Sequence, residues 1–360
     1  MVKFNSLQRY TVKAVVFAAG LGKRLRPLTN TRPKHLLPIS GKPILRRILE
    51  SLLLNGIEEV GIVVSYMPDL IIEDVKNYGL SMKVEWIHQK EPLGTGDALR
   101  VCEEFLCNED YFIVVYGDIT LNTVILGNII RFFNENICDG VVEGVLVEDT
   151  LRFGRIISRN GRLEKIEEKT AGGPGLVNTG LYILPHDALE FSRQINLSRR
   201  GEYELTDVLN ILVSRNYEIL VHTTDQDWWM DIGSPRDYLK ANIKKFIEEY
   251  GNRVICNSEV GEKVVVKPPS MILEEVEVER DTVIGPNTFI MKNVRIGSNT
   301  IIENSILLEG SIIGRSSVLR NVIIGEYVKI GDKVSVEGGQ EVFVISPRTE
   351  IGDNSKISMV

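Results

Sequence analysis

At 360 residues, with 43% hydrophobic and 25% charged residues, the chain has the composition of a soluble globular protein and exceeds what one hydrophobic core usually organises, so two domains are expected. A net charge of −7 excludes a general nucleic-acid binder, which needs a surplus of Lys and Arg. Cys102, Cys107, Cys138 and Cys256 form no CxxC pair or zinc-spaced set, and no apolar run approaches the ~18 residues of a membrane helix, so a cytoplasmic protein without disulfide framework, structural zinc or membrane partner is expected.

From residue 11 to about 245, short aliphatic runs alternate with longer mixed segments: VKAVVFA at 12–18, VGIVV at 60–64, FIVVYGD at 112–118 and VVEGVLV at 141–147. Runs this apolar suit strands buried on both faces of a largely parallel sheet. Between the first two, Ile44, Leu45, Ile48, Leu49, Leu52 and Leu53 recur at helical spacing, with Pro43 suited to open the helix and Gly56 to close it. The predicted architecture is a doubly wound α/β sheet with ligands at the carboxyl ends of its strands.

Past a charged helical stretch at 236–250 a six-residue period begins. Val266, Ile272, Val278, Ile284, Ile290, Ile296, Ile302 and Leu308 stand six apart; the register then slips by one and resumes through Ile313, Leu319, Ile324, Ile330 and Val336. This hexapeptide pattern predicts a parallel β-helix of about five coils, each short strand turning one aliphatic inward. Val276, Thr282, Thr288, Val294 and Thr300, four positions further on, fit the tight turns. The expected domains are 1–245 and 246–360.

The first strand runs into AAGLGKRLRPLTNTRPK at 18–34. Gly20 and Gly22 free backbone N–H groups to turn toward an anion, and Lys23, Arg24, Arg26, Arg32 and Lys34 add positive charge, so the loop suits a polyphosphate. It lacks the GKS or GKT of a Walker A loop and the third glycine of a dinucleotide fingerprint. VGIVVS moreover ends in Ser65 rather than an acid, which argues against an NAD-binding oxidoreductase.

The loop resembles the signature of the sugar nucleotidyltransferase family, GxGxRLxPLTxxxPK, at Gly20, Gly22, Arg24, Leu25, Pro27, Leu28, Thr29, Pro33 and Lys34. Further similarities follow in order over nearly the whole chain: Gln89 with LGTG at 93–96, YGD at 116–118, FGRI at 153–156, EEK at 167–169, NTG at 178–180, EYELTD at 202–207 and WWMDIGSP at 228–235. The resemblance implies a Rossmann-like nucleotidyltransferase domain, a left-handed β-helix, and a Mg²⁺-dependent transfer in which a sugar 1-phosphate attacks the α-phosphorus of a nucleoside triphosphate. By that resemblance Ala19, Gly20 and Gly22 bind the nucleotide's phosphates, Arg24 the leaving pyrophosphate, Lys34 the α-phosphate and Lys169 the sugar phosphate. Gln89, Gly94 and Thr95 read the base. Gly154, Glu168 and Asn178 hold the sugar, and Asp118 and Asp231 are the metal ligands, as hard carboxylates suit Mg²⁺.

LGTG, FGRI, NTG and EYELTD are closest to the uridylyltransferase half of the bifunctional N-acetylglucosamine-1-phosphate enzymes, which favours UTP or dTTP with N-acetylglucosamine- or glucose-1-phosphate. PLT and DIGSP look more like thymidylyl- and guanylyltransferases, which keeps a mannose-1-phosphate guanylyltransferase open. A catalytically inactive regulatory subunit is a further alternative, and the presence of Arg24, Lys34, Asp118, Lys169 and Asp231 argues against it. In the bifunctional enzymes the β-helix is an acetyltransferase with a histidine base. Here His35, His88, His186 and His222 all precede it, so the expected role of the β-helix is homo-oligomeric assembly or regulation.

Overall fold

A computed structural model describes residues 12–168, 172–224 and 229–358. The chain forms two compact units that do not follow its order: residues 1–21 with 44–231, and residues 22–43 with 232–360.

The first unit is built on a nine-stranded mixed sheet. Its strands are β1 (Ala14–Ala18), β2 (Glu59–Val64), β3 (Lys83–His88), β4 (Tyr111–Tyr116), β5 (Gly140–Val147), β6 (Gly154–Arg159), β7 (Arg162–Glu168), β8 (Gly175–Pro185) and β9 (Ile219–Thr224). They lie in the order β3-β2-β1-β4-β8-β5-β9-β7-β6. β3, β2, β1 and β4 are parallel, and β8 enters antiparallel between β4 and β5. β1 is buried at all five positions, as its unbroken aliphatic run requires. Helix α1 (Ile44–Leu54) buries Ile44, Leu45, Ile48, Leu49 and Leu52 on one stripe. Pro43, expected to open this helix, instead closes a two-stranded hairpin with Pro38, and Gly56 follows the helix at φ +80°.

The second unit is a left-handed β-helix of three parallel sheets with six, six and five strands. Ile272, Ile284, Ile290, Ile296, Ile302, Ile313, Leu319, Ile324, Ile330 and Val336 all line its core, as the period predicts. Ile272 pairs with Ile290 and Ile284 with Ile302, 18 residues on. The slip falls one turn before the expected place: Ile290 pairs with Leu307, 17 residues on, and Leu307 rather than Leu308 joins the core ladder. The turns explain why. Asp281, Asn287, Asn293 and Asn299 stand six apart at positive φ, and the next such residue, Asn304, comes after only five. Asn and Asp tolerate this left-handed conformation best among residues with a Cβ. Further on, Ile324 pairs with Ile345, 21 residues away, because extra residues around Gly338–Glu341 leave the coil. Buried turn hydroxyls bind the next coil's carbonyls, as in Thr300 Oγ1 to Gly314 O at 3.0 Å and Ser317 Oγ to Gly331 O at 3.1 Å.

Residues 22–43 join this unit because one β-helix sheet has an apolar outer face. Met271, Phe289, Ile306 and Ile323 alternate with the core residues and so point out of the coil, yet all four are buried. The helix Pro235–Tyr250 (α2) sets Phe246 edge-on to Phe289 at 5.6 Å. A Cβ on Gly41 would lie 3.1 Å from Met271 Sδ, so the hairpin backbone rests on the same face. Tyr238 O–H donates to Pro38 O at 2.8 Å, and Asn242 Oδ1 accepts from Ser40 N at 2.9 Å, tying α2 to the 22–43 segment.

Candidate functional site

In the first unit the expected residues fall into three groups. Asp118 follows the carboxyl end of β4 and precedes Ile119, which pairs with Asp231 in an isolated antiparallel bridge. Thr120 N donates to Met230 O at 3.1 Å, and Met230 N to Thr120 Oγ1 at 2.9 Å. The two aspartates, over a hundred residues apart in sequence, are thus brought to one place by backbone pairing. Trp229 anchors the approach to Asp231: its indole N–H donates to Thr179 O at 2.9 Å, and its ring meets Phe153 edge-on at 5.2 Å. Arg152, from the same turn as Phe153, stands 3.7 Å from Asp231 Oδ2.

The second group forms around Gln89, at the end of β3. Its side chain is buried, and its amide nitrogen donates to Gly94 O at 3.1 Å and to Asp97 Oδ2 at 2.8 Å. That commits the nitrogen and leaves acceptor chemistry to the amide oxygen. Gly94 sits at φ +110°, where a Cβ would lie 2.5 Å from Tyr203 O, so only glycine fits. The LGTG segment is laced to EYELTD by Gly96 N to Tyr203 O and Tyr203 N to Leu93 O, both 2.7 Å, and by Leu205 N to Thr95 Oγ1 at 2.9 Å.

The third group gathers four motifs. Gly154 of β6 faces Glu168 of β7 in register, and a Cβ on Gly154 would come within 2.8 Å of Glu168 Oε1. Thr206 O–H donates to Glu168 Oε1 at 3.1 Å, and Arg200 lies 4.0 Å from Glu168 Oε2 while pairing with Glu204. Asn178 Oδ1 accepts from Gly180 N at 3.1 Å. Tyr182 O–H reaches Tyr116 O–H at 3.3 Å, and burial pushes both phenols up, so both keep their protons and can donate. Lys169 lies outside the described residues.

The second unit holds the rest of the signature loop. Gly22 adopts a left-handed conformation, φ +61°, and a Cβ there would strike Thr29 Cγ2 at 2.9 Å and approach Lys34 Cβ at 3.3 Å. Thr29 O–H returns to Gly22 O at 2.9 Å, folding the loop over so that its glycine end meets its lysine end. Arg24 is exposed and Lys34 half-buried, while His35 is buried.

Asp97, Thr206, Arg152 and Arg200 were not among the expected site residues. Each acts on an expected residue across a fold contact; Thr206 lies inside EYELTD and Asp97 directly follows LGTG, but neither motif shows which residue its side chain binds.

A parallel-sheet half with a glycine turn after its first strand, an aspartate after another strand and a buried amide at a third strand end has the layout of an α/β fold that takes ligands at the carboxyl ends of its strands. The nucleotidyl transferase family model matches residues 13–247, and the GMPPB C-terminal domain model matches residues 266–359. The chain is 34% identical over 336 residues to the bifunctional protein GlmU of Methanococcus maripaludis, covering 88% of this chain and 74% of that protein. It is 30% identical over 347 residues to a bifunctional sugar-1-phosphate nucleotidylyltransferase/acetyltransferase of Sulfurisphaera tokodaii, covering 89% and 81%. Against a mannose-1-phosphate guanyltransferase of Yarrowia lipolytica the identity is 27% over 385 residues, covering 97% and 100%. The chain belongs to the nucleotidyl transferase family and is an enzyme, a transferase. The family is generally dependent on a divalent metal. Among the described residues no helix is long and apolar enough to cross a membrane.

Proposed function

We propose that the chain condenses UTP or dTTP with N-acetylglucosamine- or glucose-1-phosphate in the cytoplasm, releasing pyrophosphate. The observation that carries the base preference is the buried Gln89, whose nitrogen is held by Gly94 and Asp97. An amide oxygen there accepts from the ring N–H that uracil, thymine and guanine carry and cytosine and adenine lack. The similarity of LGTG and EYELTD to uridylyltransferase motifs then favours the pyrimidines.

In the reaction a sugar-phosphate oxygen forms a bond to the α-phosphorus as the α–β bridge breaks, with no covalent enzyme intermediate. Arg24 balances charge on the departing pyrophosphate, Lys34 on the α-phosphate and Lys169 on the sugar phosphate, while backbone N–H groups of Ala19, Gly20 and Gly22 cradle the triphosphate. Glu168, Asn178 and the backbone of Gly154 take the sugar hydroxyls, and Thr95 with Gly94 borders the base. Asp118 and Asp231 fit a divalent cation such as Mg²⁺ and would hold it through their carboxylates, brought together by the Ile119–Asp231 bridge. The cation, when bound, supplies Lewis-acid stabilisation of phosphate charge.

A second reading, GTP with mannose-1-phosphate, is supported by the GMPPB-type C-terminal domain and by the alignment over the full length of the Yarrowia guanyltransferase. Pyrophosphate release measured over five triphosphates and three sugar 1-phosphates separates the two. A maximum at UTP or dTTP with a gluco sugar supports the first reading, a maximum at GTP with mannose-1-phosphate the second, and silence throughout points to a regulatory subunit. Asp118→Ala should lower kcat by about 10³-fold; full turnover with Mg²⁺ would remove the metal assignment.

The β-helix serves assembly in this proposal rather than acetyl transfer. A second of its sheets presents Val265, Val283, Ile301 and Val318 outward, none of them buried, as a ladder that a second copy can cover.

A further inference from the structure

The signature loop is pinned to the β-helix by an ion cluster. Arg32 Nη2 donates to Glu309 Oε1 at 2.7 Å, and Arg32 Nε pairs with Glu326. The two glutamates stand on turns of neighbouring coils, joined by Tyr327 N to Glu309 O at 3.0 Å. Only 15% of the Arg32 side chain and 9% of the Glu326 side chain remain exposed. Burial alone would lower the Arg32 pKa, and the two carboxylates outweigh it, so the guanidinium is held firmly charged. Burial likewise pushes the Glu326 carboxyl up, with Arg32 opposing the rise.

Arg32 is joined to Lys34 by a stiff link. Pro33 fixes φ at −60° and opens a tight turn at Lys34–Leu36, closed by Leu36 N to Pro33 O and Leu37 N to Lys34 O, both 3.0 Å. A guanidinium fork held by two carboxylates has little freedom, and a lysine two residues away through a proline inherits that constraint.

We infer that Glu309 and Glu326 are positioning residues for catalysis, acting through Arg32 to set Lys34. The β-helix thereby takes part in nucleotidyl transfer. The inference rests on the role proposed above for Lys34, and it reaches coils that the family motifs do not touch.

The test compares Glu309→Gln, Glu326→Gln and Arg32→Gln with Lys329→Ala, which cuts an exposed pair with Glu350 elsewhere on the same β-helix. The first three should lower kcat about tenfold with KM for the triphosphate changed less than twofold, since a small displacement of a charge-stabilising group acts mainly on the transition state. The triple variant should be no worse than Arg32→Gln alone, and Lys329→Ala should match the wild type. Hydrogen exchange supplies a readout independent of turnover: amides of residues 22–37 should exchange faster in Glu309→Gln and Glu326→Gln while those of 312–336 keep their protection. Unchanged kcat and loop exchange in both variants would overturn the inference, as would activity lost only in proportion to unfolding of the whole β-helix. If the wild-type protein itself releases no pyrophosphate on any substrate pair, the functional reading fails, and the loop exchange alone decides whether the cluster positions the loop.

Discussion

Each of the two units has internal contacts of a different reach. In the α/β unit Ala14 pairs with Val60 on one side and Ile113 on the other, whereas in the β-helix Ile284 pairs with Ile302, a single coil away. The first arrangement can bring distant carboxylates such as Asp118 and Asp231 to one place, at the cost of closing long loops. The second repeats one local solution, and each coil depends on its neighbours. The aspartates and the buried amide of the candidate site therefore lie where contacts are long-range. The β-helix contributes the two carboxylates, Glu309 and Glu326, that hold Arg32 of the signature loop.

The contrast is sharpest in stability. Ile302 is fully buried between Ile284 and Leu319, and Ile302→Ala should cost about 2–5 kcal/mol. Site-resolved hydrogen exchange during denaturant unfolding should show the loss spreading to adjacent coils while β1, β2 and β4 keep their protection. Equal loss in both units would break the picture of separable cooperativity.

A smaller effect is expected at Asp97, which holds the Gln89 amide. Asp97→Asn weakens that grip and lets the amide turn, so the preference for triphosphates whose base donates a ring N–H over CTP and ATP should fall about tenfold. An unchanged ratio of kcat/KM values would show that Gln89 is set by other contacts.

The smallest effect is a pH slope in the α/β unit. Glu143 is wholly buried on β5, where it accepts from Thr224 O–H at 2.8 Å and pairs with His222. Burial pushes its carboxyl above the ordinary 4.5, against the pull of His222 and Thr224. The folded chain thus holds this proton more tightly than the unfolded chain, and stability declines as pH rises from 4.5 through the raised folded value. Glu143→Gln should remove a slope of at most about 1.4 kcal/mol per pH unit in denaturant midpoints. A slope that persists in the variant would assign it to another group.

Much of this was legible beforehand for identifiable reasons. Aliphatic runs such as Ala14–Ala18 mark strands buried on both faces, and a β-helix writes its period into the chain because every coil meets the same packing problem. The tight fold of the loop at 18–34 was legible because its glycines act through local backbone geometry, as Gly22 does at φ +61°. The early slip at Asn304 was less visible. Leu307 and Leu308 are both leucines, and only the left-handed turn residue decides which one faces inward.

By itself, then, the sequence determined the sheet and the coils and nominated the glycine loop and the acidic and amide residues of the candidate site, since each depends on side chains close together along the chain. Only the tertiary structure decided that residues 22–43 fold with the β-helix, that Asp97 orients Gln89, that Thr206 binds Glu168, and that Glu309 and Glu326 grip Arg32. The physical reason is common to all four. An apolar outer face to be covered or a buried polar group to be satisfied recruits its partner from whatever segment the fold brings near, and that choice leaves no periodic or local trace in the chain.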